Sequence, residues 1–276
     1  MASTTRCAVC GGATGESLPG LGKCLSCGLV FRIEKIFAAP VYEPGLEEDI
    51  YRGAKQGLFS SALAFLGARF PRQGKLLDIG CAAGDFLKAA ALRGWEAEGI
   101  EIDTNMAAKA SSGGSKVYAS PVEALGLPGQ YYEAITAFEV FSQMDNPAAA
   151  AAEISRLLKP GGILYARDYN ACFHLPLHRL ELKGFFRGLG VRPSVVHNFN
   201  FGPRSLHLLL QRAGFRDITI RNSRPTPGDP YRTGGRLGGF LTSLFKVLYY
   251  YLAQALWLIT LGRVYAGSAL IATAKK

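Results

Sequence analysis

Four cysteines near the N-terminus fall as two Cys-x2-Cys pairs, Cys7/Cys10 and Cys24/Cys27, each pair followed by a glycine, Gly11 and Gly28. Thiolates at that spacing sit on two short knuckles and offer four sulfurs tetrahedrally to one divalent cation, while the glycines permit tight turns and N–H contacts to sulfur. The pattern is that of a zinc ribbon. With cysteine at all four positions the Zn2+ is expected to be structural, with no open coordination position for chemistry. Disulfides are the competing reading. They suit small exported domains, and a 276-residue chain with no apolar leader before Cys7 is expected to be neither small nor exported. Cys81 and Cys172 are left over and read as buried small residues rather than nucleophiles.

A second group of residues belongs to the stretch KLLDIGCAAGDFLKAAALRGWEAEGIEID at 75–103. A short apolar run from Leu76 leads into a turn at Asp78–Gly84, in which Gly80 and Gly84 let backbone approach a ligand. Phe86, Leu87, Ala90 and Ala91 recur at helical spacing, Gly94 stands where a helix C-cap needs it, and a second strand over 97–101 ends on Glu101. Strand, turn, helix and parallel strand open a nucleotide-binding α/β sheet, and Glu101 is placed to accept from two ribose hydroxyls. A dinucleotide site puts a pyrophosphate on the helix N-terminus. Here the turn starts with an acid and the helix with Asp85, which repels phosphate and suits a cationic ligand.

The stretch resembles the first motif of class I S-adenosylmethionine-dependent methyltransferases, with Ala82 where the family's usual turn carries its middle glycine. The likeness runs on. Tyr132–Ile135 resembles the fourth strand, with Phe138-Glu139-Val140 at its end, and Asn146-Pro147 opens a helix through Leu158. Leu157-Leu158-Lys159-Pro160-Gly161-Gly162 is similar to the turn before strand five, with proline stopping the helix and paired glycines reversing the chain into Ile163–Ala166. A helix over Pro203–Arg212, closed by Gly214, feeds a strand at Phe215–Arg221, and the last strand is expected at Ser268–Ala274. The resemblance implies a Rossmann-like seven-stranded α/β sheet over 71–276, with inserts at about 170–202 and 222–265, the second helical. The zinc ribbon occupies 1–40 and a helical linker 41–70.

By position in that family, Asp78, Gly80, Cys81 and Gly84 line the methionine end of the cofactor and Glu101 binds the ribose. Ile102 and Ser120 approach the adenine, and Phe138 with Glu139 closes the site. The quinone-methylating branch often reads E-x-x-E-H after strand four; here Glu139-Val140-Phe141-Ser142-Gln143 has no histidine. His197 immediately precedes the Pro203 helix, where similar enzymes frame the acceptor, and is the first candidate for a base. Asp168 and Tyr169, just past strand five, come next. His174 and His178 lie in the same insert, whereas His207, beside Leu206 and Leu210, reads as structural.

Charge is uneven. From residue 170 onward fifteen lysines and arginines stand against Glu181, Asp217 and Asp229, a net of +12, where the whole chain carries +10, so the first 169 residues sit near −2. The basic half suits nucleic acid, an anionic lipid surface or a phosphorylated substrate. Leu237–Gly262 is apolar with Lys246 as its one charge, and at about 1.5 Å per residue it is long enough to cross a bilayer. A single crossing would strand the last sheet strand on the wrong side. Thr242, Ser243, Lys246, Tyr250 and Gln254 form one helical stripe, leaving Phe240, Leu241, Leu244, Phe245, Leu248, Leu252, Leu256 and Ile259 on a broad apolar face. Arg232, Arg236 and Arg263 flank the segment, and Tyr249, Tyr250, Tyr251 and Trp257 suit a headgroup zone. One helix or a helical hairpin lying in the interface plane, an internal helix and a homodimer interface all remain open.

The expected function is methyl transfer from S-adenosylmethionine to a small-molecule or lipid-linked, amphiphilic or glycan-pathway acceptor at a membrane surface. The enzyme is expected to be cytoplasmic and peripheral on the inner face. A zinc-bearing RNA base methyltransferase is the first alternative, disfavoured by a Leu/Phe/Tyr-rich surface without basic interleaving. A non-catalytic scaffold of the same fold is the second, and the intact Asp78, Gly80, Gly84 and Glu101 set speaks against it.

Overall fold

The computed structural model describes residues 6–35, 46–189, 193–225 and 235–276. Arg232 and linker residues 41–45 lie outside them, as do the side chains at 46–54 and 235–243, among them Arg236, Phe240, Leu241, Thr242 and Ser243. The chain forms two compact units. One is drawn from Met1–Gln56, Asp168–Ser205 and Ile220–Ile271, the other from Gly57–Arg167, Leu206–Thr219 and Ala272–Lys276.

In the first unit, strands β1 (Thr14–Leu18), β2 (Leu21–Cys24) and β3 (Val30–Arg32) form an antiparallel ribbon, with the Cys7/Cys10 knuckle ahead of β1 and the Cys24/Cys27 knuckle between β2 and β3. A fourth strand arrives from far along the chain: Phe199–Asn200 pairs with β3 through Val30↔Asn200 and Phe31↔Phe199. Ala171–Leu182 forms a helix with Pro176 inside it, capped by the Asn170 side chain, which accepts from the Cys172 N–H at 3.0 Å. The apolar segment of the C-terminal half is one helix, Gly235–Ile259.

The second unit carries the large sheet. Helix α1 (Leu46–Gly67) leads to β4 (Lys75–Ile79), then α2 (Asp85–Ala91), β5 (Glu96–Ile100), α3 (Thr104–Ser112), β6 (Lys116–Tyr118), β7 (Tyr132–Phe138), α4 (Pro147–Leu157) and β8 (Leu158–Tyr169). With α5 the helix at Ala171–Leu182, β9 the strand at Phe199–Asn200 and α7 the helix at Gly235–Ile259, the remaining elements are α6 (Pro203–Arg212), β10 (Arg216–Asn222) and β11 (Ala269–Lys275). The seven strands run in the order β10-β11-β8-β7-β4-β5-β6, and the neighbours from β8 to β6 pair in parallel. Leu76, Leu77, Ile100, Ile135 and Leu164 are buried, as strands covered on both faces require.

Caps explain the boundaries. Asp103 accepts from the N–H groups of Asn105 and Met106 at 2.9 and 3.0 Å and starts α3. Asn146 accepts from Ala149 N–H at 3.1 Å ahead of Pro147, which starts α4. One local expectation fails. The Lys159–Gly162 segment makes no reversal but lies inside β8. Tyr132 pairs with Leu158 and Ala134 with Ile163, so the residues between bulge out opposite Glu133, with Gly161 at φ 80° taking up the bend.

Candidate functional site

Strand β4 delivers Asp78 to a buried position, where its carboxylate accepts the Thr136 hydroxyl of β7 at 2.6 Å. The turn that follows is fixed from β5: Gly80 and Cys81 both donate to the Ile100 carbonyl, at 2.7 and 3.0 Å, and Gly84 closes back on the Cys81 carbonyl at 2.9 Å. Gly80 and Gly84 have φ of 72° and 82°, which glycine adopts freely. On the side where a Cβ would stand, the space at both is taken by protein. A Cβ on Gly80 would meet Val140 Cγ2 at 2.7 Å, and one on Gly84 would meet Ala110 Cβ at 3.0 Å. Glycine at these two positions permits the turn's shape and its packing.

Glu101, immediately past β5, is half-buried, and each carboxylate oxygen is oriented by backbone. Oε2 accepts from Ala82 N–H at 2.9 Å and Oε1 from Asp103 N–H at 2.9 Å. Ala82 itself is exposed and left-handed, at φ 46°. The carboxylate therefore ties the turn after β4 to the turn after β5 and keeps acceptor directions open. Asp85, Glu101 and Asp103 place three acids just past the carboxyl ends of β4 and β5, a set of acceptors that fits a ligand bearing a diol and positive charge. Ile102 is exposed beside them, and Ser120 is half-buried two residues beyond β6. Cys81 is buried, and burial, with Asp78 and Glu101 adding to it, pushes its thiol far above the usual range, so it is no nucleophile.

Phe138 turns its ring into an aromatic cluster, with centroids 5.0 Å from Phe86, 5.3 Å from Phe59 and 6.1 Å from Tyr165. Glu139 follows it in a left-handed conformation at φ 63°, donating its N–H to the Arg167 carbonyl at 2.6 Å. Its carboxylate pairs with the Arg167 guanidinium, and the two residues are only 9% and 3% exposed. Sequence reasoning missed Arg167 and Thr136. Both sit on strand neighbours of the motif, so their roles show only once the strands are placed.

In the first unit, Asp168 is buried and accepts its neighbour's N–H, that of Tyr169, at 2.8 Å. The Tyr169 ring stands nearly perpendicular to His197, centroids 5.2 Å apart, and 5.4 Å from His174. Burial, with Arg32 adding to it, lowers the His197 imidazole to about 4, so the ring is neutral at ordinary pH. Its segment is held by the ribbon: Arg32 donates to the Val196 carbonyl at 3.0 Å and to the Asn198 carbonyl at 2.9 Å. His174 accepts from Val195 N–H at 3.1 Å, and His178 lies 3.2 Å from the Ser194 hydroxyl, so both fasten the same segment. His207 is exposed on α6, next to the buried Leu206.

The four N-terminal cysteines converge. Their sulfurs all lie within 4.8 Å of one another, with Cys10 to Cys24 at 3.3 Å and Cys7 to Cys27 at 3.6 Å, and none is in a disulfide. A tetrahedron with bonds of about 2.3 Å has sulfur–sulfur edges of about 3.8 Å, so the cluster has the size of a thiolate metal site. Gly11 and Gly28, at φ 70° and 77°, turn the knuckles back on the carbonyls of Cys7 and Cys24. N–H groups of Gly12 and Cys27 point at Cys10 and Cys24 sulfur, each at 3.4 Å. Burial opposes ionisation of Cys24, yet the Cys27 N–H and the Cys10 thiol bring it down to about 6. Cys172 is exposed, not buried as its sequence context suggests.

A family model described as a methyltransferase domain matches residues 51–220. The chain is 29% identical over 133 residues to the ubiquinone biosynthesis O-methyltransferase of Methylococcus capsulatus, covering 45% of this chain and 55% of that protein. It is 28% identical over 170 residues to the ubiquinone biosynthesis O-methyltransferase of Burkholderia pseudomallei, covering 58% and 72%. The chain thus spans about half the length of the first curated relatives it matches. A solved methyltransferase from Archaeoglobus fulgidus, dependent on S-adenosylmethionine, superposes with a TM-score of 0.52 at 18% identity over 83% of this chain and 97% of that one, a likeness of fold.

Proposed function

This chain belongs to the methyltransferase-domain family, and from that premise we propose that it transfers a methyl group from S-adenosylmethionine to a lipid-linked, amphiphilic or glycan-pathway acceptor at a membrane surface. The observation that carries the reading is the Glu101 carboxylate, oriented by Ala82 and Asp103 N–H groups at the carboxyl ends of two adjacent parallel strands. Bound S-adenosylmethionine supplies an electrophilic methyl on a sulfonium, and displacement there asks the protein for proximity, orientation and, for a weakly acidic acceptor, a base. Glu101 would hold the ribose, the Asp78–Gly84 turn the amino-acid end, and Ile102 and Ser120 the adenine, with Phe138 and Glu139 bounding the site.

Relatives named for O-methylation in ubiquinone biosynthesis support an oxygen acceptor. Asp168, Tyr169 and His197 are the proposed acceptor-side residues. His197, lowered to about 4, would serve as a neutral hydrogen-bond acceptor more than as a strong base. The cysteine cluster would hold one structural Zn2+, since four thiolates leave no ligand position open. The test is incubation with methyl-labelled S-adenosylmethionine and separate lipid, RNA and small-molecule extracts. Label in the lipid fraction supports the reading, and label in RNA alone overturns it.

A further inference from the structure

Helix α7 is amphipathic in the reverse sense. Leu244, Phe245, Leu248, Leu252, Leu256 and Ile259 are exposed, Phe245 to 68% and Ile259 to 78%. Lys246, Tyr250, Gln254 and Trp257 are half-buried on the opposite side, and Ala253 is buried. At 3.6 residues per turn the exposed positions fill one half of the helix circumference. Of the expected polar stripe, Lys246, Tyr250 and Gln254 turn toward the protein, and the side chains of Thr242 and Ser243 lie outside the described residues. Tyr249 and Trp257 turn inward as well, leaving Tyr251 as the exposed aromatic hydroxyl.

The inner side is fastened. Asn222 donates to the Ala253 carbonyl at 3.2 Å, the Tyr249 hydroxyl donates to the Ala266 carbonyl, and the Tyr249 ring lies 5.3 Å from Phe173 of α5. Rolling the apolar half inward would break these contacts.

We propose that the outer half of α7 docks in the plane of an anionic bilayer, its apolar side chains in the acyl boundary and nearby arginines on headgroup phosphates. The proposal deepens the acceptor reading above and rests on it for its biological sense. Two observations select lipid over protein. Among the exposed side chains from 244 to 259, the Tyr251 hydroxyl is the only polar group, whereas protein interfaces carry a polar rim with roughly one hydrogen bond per 100–200 Å². The charge around the helix is complementary to an anionic surface. Arg221 and Arg224 are exposed on either side of Asn222, whose side chain holds the helix at Ala253, and Arg263 is exposed just past the helix. Among the described residues no helix is long and apolar enough to cross a membrane.

Flotation of the full chain tests this, with vesicles of phosphatidylcholine alone and of phosphatidylcholine with phosphatidylglycerol. The chain should float with the anionic vesicles and lose part of its binding as salt rises, because headgroup attraction is screened and apolar insertion is not. Leu248→Glu with Leu252→Glu, both at exposed positions, should lower the bound fraction about tenfold while the circular dichroism and melting of the protein stay as they were. Leu248→Ser with Leu252→Ser gives a milder pair should the glutamates disturb the fold. Binding untouched by either pair, or a dimer that never floats, overturns the proposal; the dimer would assign the face to a second copy. Labelled lipid without flotation sinks docking and leaves the acceptor reading standing, and flotation without labelled lipid does the reverse.

Discussion

Glu101 Oε2 accepts the Ala82 N–H at 2.9 Å, joining the turn after the first motif strand to the end of the second. One carboxylate therefore shapes the turn and faces the proposed ribose site. Glu101→Ala should weaken S-adenosylmethionine binding by about 2 to 3 kcal/mol, the scale of charged hydrogen bonds. Calorimetry checks it, and unchanged affinity in a folded variant would remove the assignment.

The Glu139–Arg167 pair is buried, so removing one partner strands the other. Arg167→Met should destabilise the fold by about 3 to 5 kcal/mol, while Glu139→Gln with Arg167→Met should cost much less. Urea melts of the two variants and the parent decide the matter. Equal losses in both would mean the pair is not what stabilises the loop after β7.

One zinc per chain should be found in purified protein by metal analysis. Cys24→Ser should lose it, and amide exchange at 197–200 should quicken in that variant, because β9 pairs with a ribbon strand next to the cluster. Metal retained at full stoichiometry would place the ion elsewhere.

His197 gives a pH signature. Its imidazole titrates near 4 in the folded chain against about 6.5 unfolded, so the unfolded state binds more protons between those values and stability falls as pH drops. The loss from this group should reach about 2 kcal/mol between pH 7 and 5. In His197→Phe, melting should decline less steeply over that window. A parallel decline in both proteins would show that the ring is not buried as described.

What the sequence disclosed was local. The strand, turn and helix around Asp78–Glu101 are written in adjacent residues, and so are the cysteine knuckles and the Pro203 start of α6, because periodicity, caps and left-handed glycines act over a few positions. What stayed hidden depends on partners distant in sequence. Phe199–Asn200 is a strand only because β3 lies beside it, and two residues carry no periodicity of their own. Arg167 reads as an ordinary strand residue until Glu139 is brought opposite. The Lys159–Gly162 segment has the composition of a turn and becomes a bulge because β7 keeps pairing on both sides of it. For α7 the two faces were legible, but which one faces the protein was not, since polarity alone predicts the opposite.

The pairing of Val30 with Asn200 also orders events in time. As the chain emerges from the ribosome, the cysteines can gather once residue 27 is out, whereas β3 gains its neighbour only when residue 200 has followed. For most of synthesis the nascent ribbon therefore shows a bare edge, with unpaired N–H and carbonyl groups ready to join a strand of another chain. Closing that gap is a high-contact-order step that comes late, and until it closes the edge stays open to pairing with another chain.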